Sequence, residues 1–503
     1  MKGLVFVDDN EIGMRFAVAS AFAELSRRHA ITIVNMRTAP GTSQVGARFA
    51  RDGLRTLELE QYEGRFVRRN DLFDLSCVRF RALSPSFEER CKHFEESNPR
   101  RYDKLARSAR PDRYDAHRAE VERDMGLHPD ILRLTLRERP DFFVIPSALL
   151  DRHTDDALQV AAALRIPTAL LVAGWDNPSS KGLLYYQPSA IGVWGEQSKK
   201  HVVDIQRVPA ERVHVIGAPH YESFRRPVAE RPSELRARWG LPTDVPILLF
   251  AGTFRLFDET ALLLELDDLI EQGKLPRIHV LYRPHPWRQR RDNEKSFFEC
   301  QWRHVTLYPT VKEAYRNLTL SSAPPSSSSS FLERMTHLRE LYALSSAVVT
   351  PMSSVLLESM IAGLPVMAVA FGDGRHAWSA DRVSRMLHFR ELYEIPEVSV
   401  VRAREDFFPA LEQLLGKVGD AAHAAKLRES ARFFHHQDEE PYAIKVASLV
   451  DRMLATEPAP RYEGTQARPG KTYAAKTWLQ STTLYRTARR AVKRLGLPAV
   501  LRP

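Results

Sequence analysis

Cysteine is scarce in this 503-residue chain: only Cys77, Cys91 and Cys300 occur, without short regular spacing. That excludes a disulfide framework and a cysteine-based zinc site, and it fits a reduced, cytoplasmic compartment. Long apolar runs are also missing. No stretch approaches the roughly 20 uninterrupted apolar residues of a membrane-spanning helix. The nearest, 343–371, carries Glu358 and several serines. The apolar run near the N-terminus is short and meets Asp8 and Asp9 at once, which is not the pattern of a secretory signal. No Walker loop, H-E-x-x-H, G-x-S-x-G or EF-hand pattern is present.

Excess charge is absent from most of the chain. The net charge is +10, yet residues 461–502 alone hold ten Lys or Arg against one acid, Glu463. The body is therefore close to neutral. A reader of nucleic acid spreads basic charge over its cleft, so nucleic acid is not an expected partner. Within the basic end, Trp478, Leu484, Tyr485, Ala488, Val492 and Leu495 form an apolar helical stripe. Arg486, Arg489, Arg490, Lys493 and Arg494 lie opposite. Such a helix over 470–503 suits an anionic membrane surface, and equally a packed helix with a solvated basic face.

What is present is an alternation of short apolar runs and helical periods. GLVFVD reads as a strand, EIGMRFAVASAFAELSRRH as one helix and AITIVNM as a second strand, the opening of a parallel α/β unit. Residues 63–128 interrupt it with a charged stretch spaced by aromatics, read as one or two inserted helices. The alternation resumes with strands at PDFFVIPS, PTALLVAGW, AIGVWG and RVHVIGA. Prolines 219, 227, 232 and 242 mark a linker. A second series follows: strand VPILLFAGTF, helix 258–272, strand 278–283, helix 331–344, strand 347–350, helix 353–362 and strand 365–371. SSAPPSSSSS at 321–330 is low-complexity and reads as a surface loop. The expected division is a first lobe 1–224, a second lobe 225–455 and a basic tail 456–503. Ligands in such sheets lie beyond the carboxyl ends of the strands.

Thr350, Ser353 and Ser354 fall in the turn between a strand and a helix. The leading N–H groups of a helix have no intrahelical partner, so this turn suits a phosphate; Ser353 or Ser354 would serve equally as an N-cap. Glu358 lies one turn on, on the face of Ser354, and Gly363-Leu364-Pro365 ends the helix. This order resembles the nucleotide-binding lobe of GT-B glycosyltransferases. The resemblance implies that Ser353 and Ser354 hold the donor phosphate and Glu358 the ribose. A second stretch, 172–224, resembles bacterial surface-polysaccharide transferases through Trp175-Asp176-Asn177, Ser180-Lys181-Gly182, Trp194, Glu211-Arg212 and Gly217-Ala218-Pro219. It departs from them at Tyr221-Glu222. The implied fold is α/β: two Rossmann-like lobes, an interdomain cleft and a helical insertion in the first lobe.

RPHP fixes His285 between two prolines at a strand end. Alone it would be a turn. CMP-sugar transferases and CDP-glycerol phosphotransferases carry a similar His-Pro, and this resemblance implies that His285 contacts the donor phosphate, reinforced by Arg283. Gly252, Thr253 and Arg255 open the second lobe at a strand end where backbone can approach a ligand. Asp373 and His376, in GDGRHAW, follow the strand after Pro365 and are candidate sugar contacts. A general base is expected from the first lobe: Asp9, with Asp8, Glu11 and Asp176 as alternatives. Asp8 and Asp9 would also suit a capping turn. No metal or bound cofactor is expected, since helix N-termini, His285 and arginine can carry phosphate charge.

The expected activity is transfer of a sugar from a nucleotide-sugar donor, CMP-, CDP- or UDP-linked, to a surface glycan or lipid-linked acceptor. The expected place is the cytoplasm, peripheral to the inner membrane. The alternatives are a CDP-glycerol-type polyol-phosphate transferase, a UDP-sugar 2-epimerase, and a non-catalytic nucleotide-sugar-binding subunit.

Overall fold

A computed structural model describes residues 1–37, 43–149, 153–225, 228, 230–253, 257–285, 297–309, 312, 315–316, 338–375, 380–463 and 467–471. The loop 321–330, Arg255, Pro286, His376 and the helical stripe of the tail lie outside them. The chain folds into two α/β lobes. The first holds strands β1 Lys2–Asp8, β2 Ala30–Arg37, β3 Arg55–Glu60, β4 Phe142–Ser147, β5 Thr168–Val172, β6 Ala190–Val193 and β7 Val213–Val215. All pair parallel, in the order β3-β2-β1-β4-β5-β6-β7. The second holds β8 Ile247–Ala251, β9 His279–Arg283, β10 Val305–Leu307, β11 Ala347–Pro351, β12 Val366–Val369 and β13 Ser399–Val401. Its order is β10-β9-β8-β11-β12-β13, again parallel.

Strands β1, β4, β5, β8 and β11 are apolar runs because helices cover both sheet faces, so both side-chain faces are buried. In each lobe the strand order reverses beside the first strand, between β1 and β4 and between β8 and β11. Those two switch points place Asp8 with the β4 loop, and Gly252 with Pro351 to Ser354.

Several local expectations are corrected. The single helix over 11–29 is two, Glu11–Val18 and Ala23–Arg28, broken where Ser20 takes φ 48°. The 63–128 region is four α-helices, Glu63–Arg79, Pro85–Ser97, Pro99–Ser108 and Tyr114–Met125. They enclose their own core of Leu72, Phe73, Leu75, Phe87, Cys91 and Tyr114. A buried ion cluster ties this insertion to the helix after β4. Arg65 and Arg69 reach Asp156 at 2.6 and 2.8 Å, and all three side chains are at most 5% exposed. Burial works to raise the Asp156 pKa, but the charges of Arg69 and Arg65 prevail and hold it well below the usual carboxylate range.

The last described helices join the lobes. Helix Ala421–Phe434 packs in the second lobe. Helix Tyr442–Thr456, read from sequence as second-lobe chain, instead buries Tyr442, Val446, Leu449 and Val450 against the first. A second junction lies beside the cleft. Trp175 packs its ring edge-on against His388 and Phe389, at centroid distances of 5.1 and 5.5 Å. Arg382 bridges Glu89 and Glu96 of the insertion at 3.1 and 2.7 Å. His201 and Gln197 meet Glu391 at 2.9 and 2.7 Å. The Trp175-Asp176-Asn177 and Trp194 segments thus belong to the interface between lobes.

Candidate functional site

In the first lobe the expected acids are engaged by their own surroundings. Asp8 ends β1 and is buried. Its Oδ1 accepts from Gln61 Nε2 at 2.6 Å and pairs with His153 Nδ1 at 2.9 Å; Asn10 Nδ2 lies 3.3 Å from Oδ2. Asp9 accepts from the Ser43 hydroxyl at 2.8 Å and the Val45 N–H at 3.4 Å, which fixes the start of helix Gln44–Arg51. The N-cap of helix Glu11–Val18 is Asn10, neither aspartate, through bonds from the Ile12 and Gly13 N–H groups. Glu11 pairs loosely with Arg15 at 3.7 Å. Asp176 lies apart from these, beside the second-lobe residue His388. It accepts from Ser180 at 2.9 Å and sits 3.7 Å from Lys181. Burial opposes its charge, but Lys181 and His388 outweigh burial and lower its pKa.

The structure therefore brings Asp8 and Asp9 to one switch point with a residue the sequence reading missed, His153. With Nδ1–H donating to Asp8, the imidazole is held in the tautomer a base requires, within a fully buried side chain. His153 sits in DRHTDD, which by itself is an acidic helix start. Its meaning depends on β4 lying next to β1.

The second lobe gathers its expected residues differently. β8 lies between β9 and β11, so Gly252, Arg283 and the 351–354 turn end side by side. Gly252 is required by a neighbour: a Cβ there would lie 2.1 Å from Glu259 Oε2. Glu259 is fully buried, accepts from the Thr253 N–H at 2.7 Å and from the Tyr282 hydroxyl at 2.7 Å, and so shapes the strand-end loop. The Thr253 hydroxyl is buried without a partner. Arg283 stands half-buried at the end of β9, and its guanidinium makes no hydrogen bond or ion pair with a described residue. His285 follows two residues on, also half-buried.

Thr350 donates its hydroxyl to the Ala251 carbonyl at 2.7 Å, locking β11 to β8. Ser353 Oγ accepts from the Val355 N–H at 3.2 Å, leaving the start of helix Val355–Ala362 beside the strand ends. Ser354 instead donates to Glu358 Oε1 at 3.0 Å, while the Tyr342 hydroxyl donates to Oε2 at 2.6 Å. Gly363 ends this helix at φ 74°, a conformation that favours glycine. Asp373 is turned to bracing: it accepts from the Asp258 N–H at 2.8 Å and the Arg375 N–H at 2.9 Å, at the start of helix Glu259–Glu271. Glu259 and Tyr342 escaped the sequence reading because each lies in a helical period that packing alone accounts for. Among the described residues, Gly252, Thr253, Arg283, His285, Ser353, Ser354 and Glu358 thus collect on one strand-end rim. The arrangement offers for phosphate a helix N-terminus and Arg283, a cation with no ion pair among the described residues, and a buried carboxylate for neutral hydroxyls.

The model of the CDP-glycerol:poly(glycerophosphate) glycerophosphotransferase family matches residues 196–441, which contain this whole rim. No curated protein matches the chain. Among solved structures, Staphylococcus aureus MnaA with UDP is 10% identical, covers 91% of this chain and 99% of its own, and has a TM-score of 0.48. A Rickettsia africae glycosyltransferase is 12% identical, with coverage of 91% and 99% and a TM-score of 0.47. The wall teichoic acid polymerase TagF, soaked with CDPG, is 11% identical, with coverage of 90% and 88% and a TM-score of 0.42. Likenesses of that degree carry no information about chemistry. The family match does: residues 196–441, just under half of the chain, match the model of the CDP-glycerol:poly(glycerophosphate) glycerophosphotransferase family, and the chain is a transferase built on two GT-B-type lobes.

Proposed function

We propose that this transferase takes a cytidine-nucleotide donor in its second lobe and moves the activated group to a hydroxyl of a surface-polymer or lipid-linked acceptor. The observation that carries this is the family match over 196–441, which spans the strand-end rim. It favours a polyol phosphate as the group moved; the fold accommodates a sugar equally. In this reading Arg283, His285 and the N–H groups at the start of helix Val355–Ala362 hold the diphosphate, and Glu358 holds the ribose. No metal is invoked, because those groups supply the positive potential. His153, oriented by Asp8, takes the acceptor proton.

For polyol-phosphate transfer, the acceptor oxygen forms a bond to the β-phosphorus. The bond from that phosphorus to the bridging oxygen breaks and CMP leaves. For sugar transfer from a nucleoside-diphosphate sugar, the bond at the anomeric carbon breaks and the diphosphate leaves intact. The released nucleotide tells the two apart. Incubation with CDP-glycerol and a glycerophosphate oligomer should release CMP and lengthen the oligomer. Acceptor-dependent release of a nucleoside diphosphate from a sugar donor, with no turnover of CDP-glycerol, would establish the sugar reading, and no acceptor-dependent release from any donor would refute both. The basic segment 470–503 is proposed to attach the enzyme to an anionic membrane surface. No helix among the described residues is long and apolar enough to cross a membrane. Removing 470–503 should abolish pelleting with anionic vesicles while turnover of the soluble oligomer persists; pelleting that survives would refute attachment by the tail.

A further inference from the structure

Glu358 is 7% exposed, yet among the described residues it has no ion-pair partner. Its carboxylate is held by two hydroxyls, Ser354 on Oε1 and Tyr342 on Oε2. An ionised carboxylate accepts about four hydrogen bonds, so about two positions remain. A phosphate would be repelled there, whereas a vicinal diol offers two neutral donors. The two hydroxyls holding Glu358 differ in origin. Ser354 is the N-cap residue of the helix that carries Glu358, four positions back. Tyr342 comes from another helix, 338–344, which leads into β11; it is 4% exposed and packs beside Phe224 of the interlobe linker at a centroid distance of 5.7 Å. Burial and the Glu358 charge push the Tyr342 hydroxyl well above its ordinary pKa, so it remains a proton donor.

We propose that Tyr342 is a positioning residue for ribose recognition: its hydroxyl fixes the Glu358 carboxylate so that the remaining lone pairs meet the 2′- and 3′-hydroxyls of the donor nucleotide. This inference rests on the donor-site reading above. It explains why a tyrosine, rather than a phenylalanine of the same shape, occupies an otherwise apolar helix face. A side chain serving only to tie two helices together would contribute to stability without affecting which sugar the site prefers.

The test is calorimetric titration of the full chain with CDP, 2′-deoxy-CDP and 3′-deoxy-CDP. The wild type should bind CDP about tenfold more tightly than either deoxy form, the loss expected for one hydrogen bond to a charged group. Tyr342→Phe should reduce that ratio to about twofold, with little change in affinity for the deoxy forms. Should Tyr342→Phe fold poorly because it strands a buried carboxylate, the double variant Tyr342→Phe/Glu358→Gln removes that charge. Its ratio should equal that of Glu358→Gln alone. A full ratio retained in Tyr342→Phe but lost in Glu358→Gln, or a double variant that discriminates less than Glu358→Gln, overturns the role of Tyr342 and leaves the donor site standing. Absence of CDP binding, or binding without any ribose preference, in the wild type overturns the donor-site reading and this inference with it.

Discussion

The two lobes present their strand ends in opposite chemical states. At the first-lobe switch point, Asp8 and Asp9 are held by Gln61, His153, Ser43 and a backbone N–H of the same lobe. At the second, Arg283 has no partner among the described residues, the Thr253 hydroxyl is unpaired, and Glu358 is only half-satisfied. In the first lobe the carboxylates themselves are satisfied, although Gln61 Oε1 beside them has no partner among the described residues; in the second a cation, a hydroxyl and half of a carboxylate are left open to a ligand. The contrast teaches that acids at a strand end are not alike in function merely because they share a topological position.

The comparison can be broken from either side. The largest effect is expected away from both rims, at Asp156. Replacing it with alanine strands Arg65 and Arg69 in the interior and should cost about 3–5 kcal/mol in chemical denaturation. Because its pKa is lowered by folding, the stability it supplies is present above the unfolded carboxylate pKa. It should be lost only as pH falls through the folded value. Asp156→Ala stability within error of wild type would show that the insertion is not anchored by this cluster. A smaller effect is expected from Asp9→Asn, which weakens hydrogen bonds that fix helix Gln44–Arg51. About 1 kcal/mol of stability should go while CDP affinity stays within twofold. A large loss of CDP affinity there would erase the distinction between the lobes.

Much of the fold was legible because buried parallel strands are conspicuous as short apolar runs between helical periods. The parts that were not legible have physical causes. β3 reads RTLELE at a sheet edge, where polar side chains are tolerated, and β10 and β13 are only three residues each. The break between the first two helices depends on a left-handed Ser20, which no local signal announces. The insertion looked like solvated helix because its small core is spread thinly over four segments. At the site, the serine pair, Glu358 and the RPHP histidine are singled out by their resemblance to known transferases, and the structure sets them at neighbouring strand ends. His153, Glu259 and Tyr342 are not, since each acquires its partner through tertiary contact at separations of 145, 23 and 16 residues. Conversely, Asp9 and Asp373 have the right residue type at a strand end, but their oxygens bind nearby backbone N–H groups.

The central claim is that donor binding resides in the second lobe. One titration addresses it: CDP into the wild type, into Asp8→Asn/Asp9→Asn, and into His285→Ala/Glu358→Gln. The account predicts near-wild-type affinity for the first variant and a loss of about tenfold or more for the second, the scale of charge-assisted contacts. Unchanged affinity in the second-lobe variant, or an equal loss in both, would contradict it.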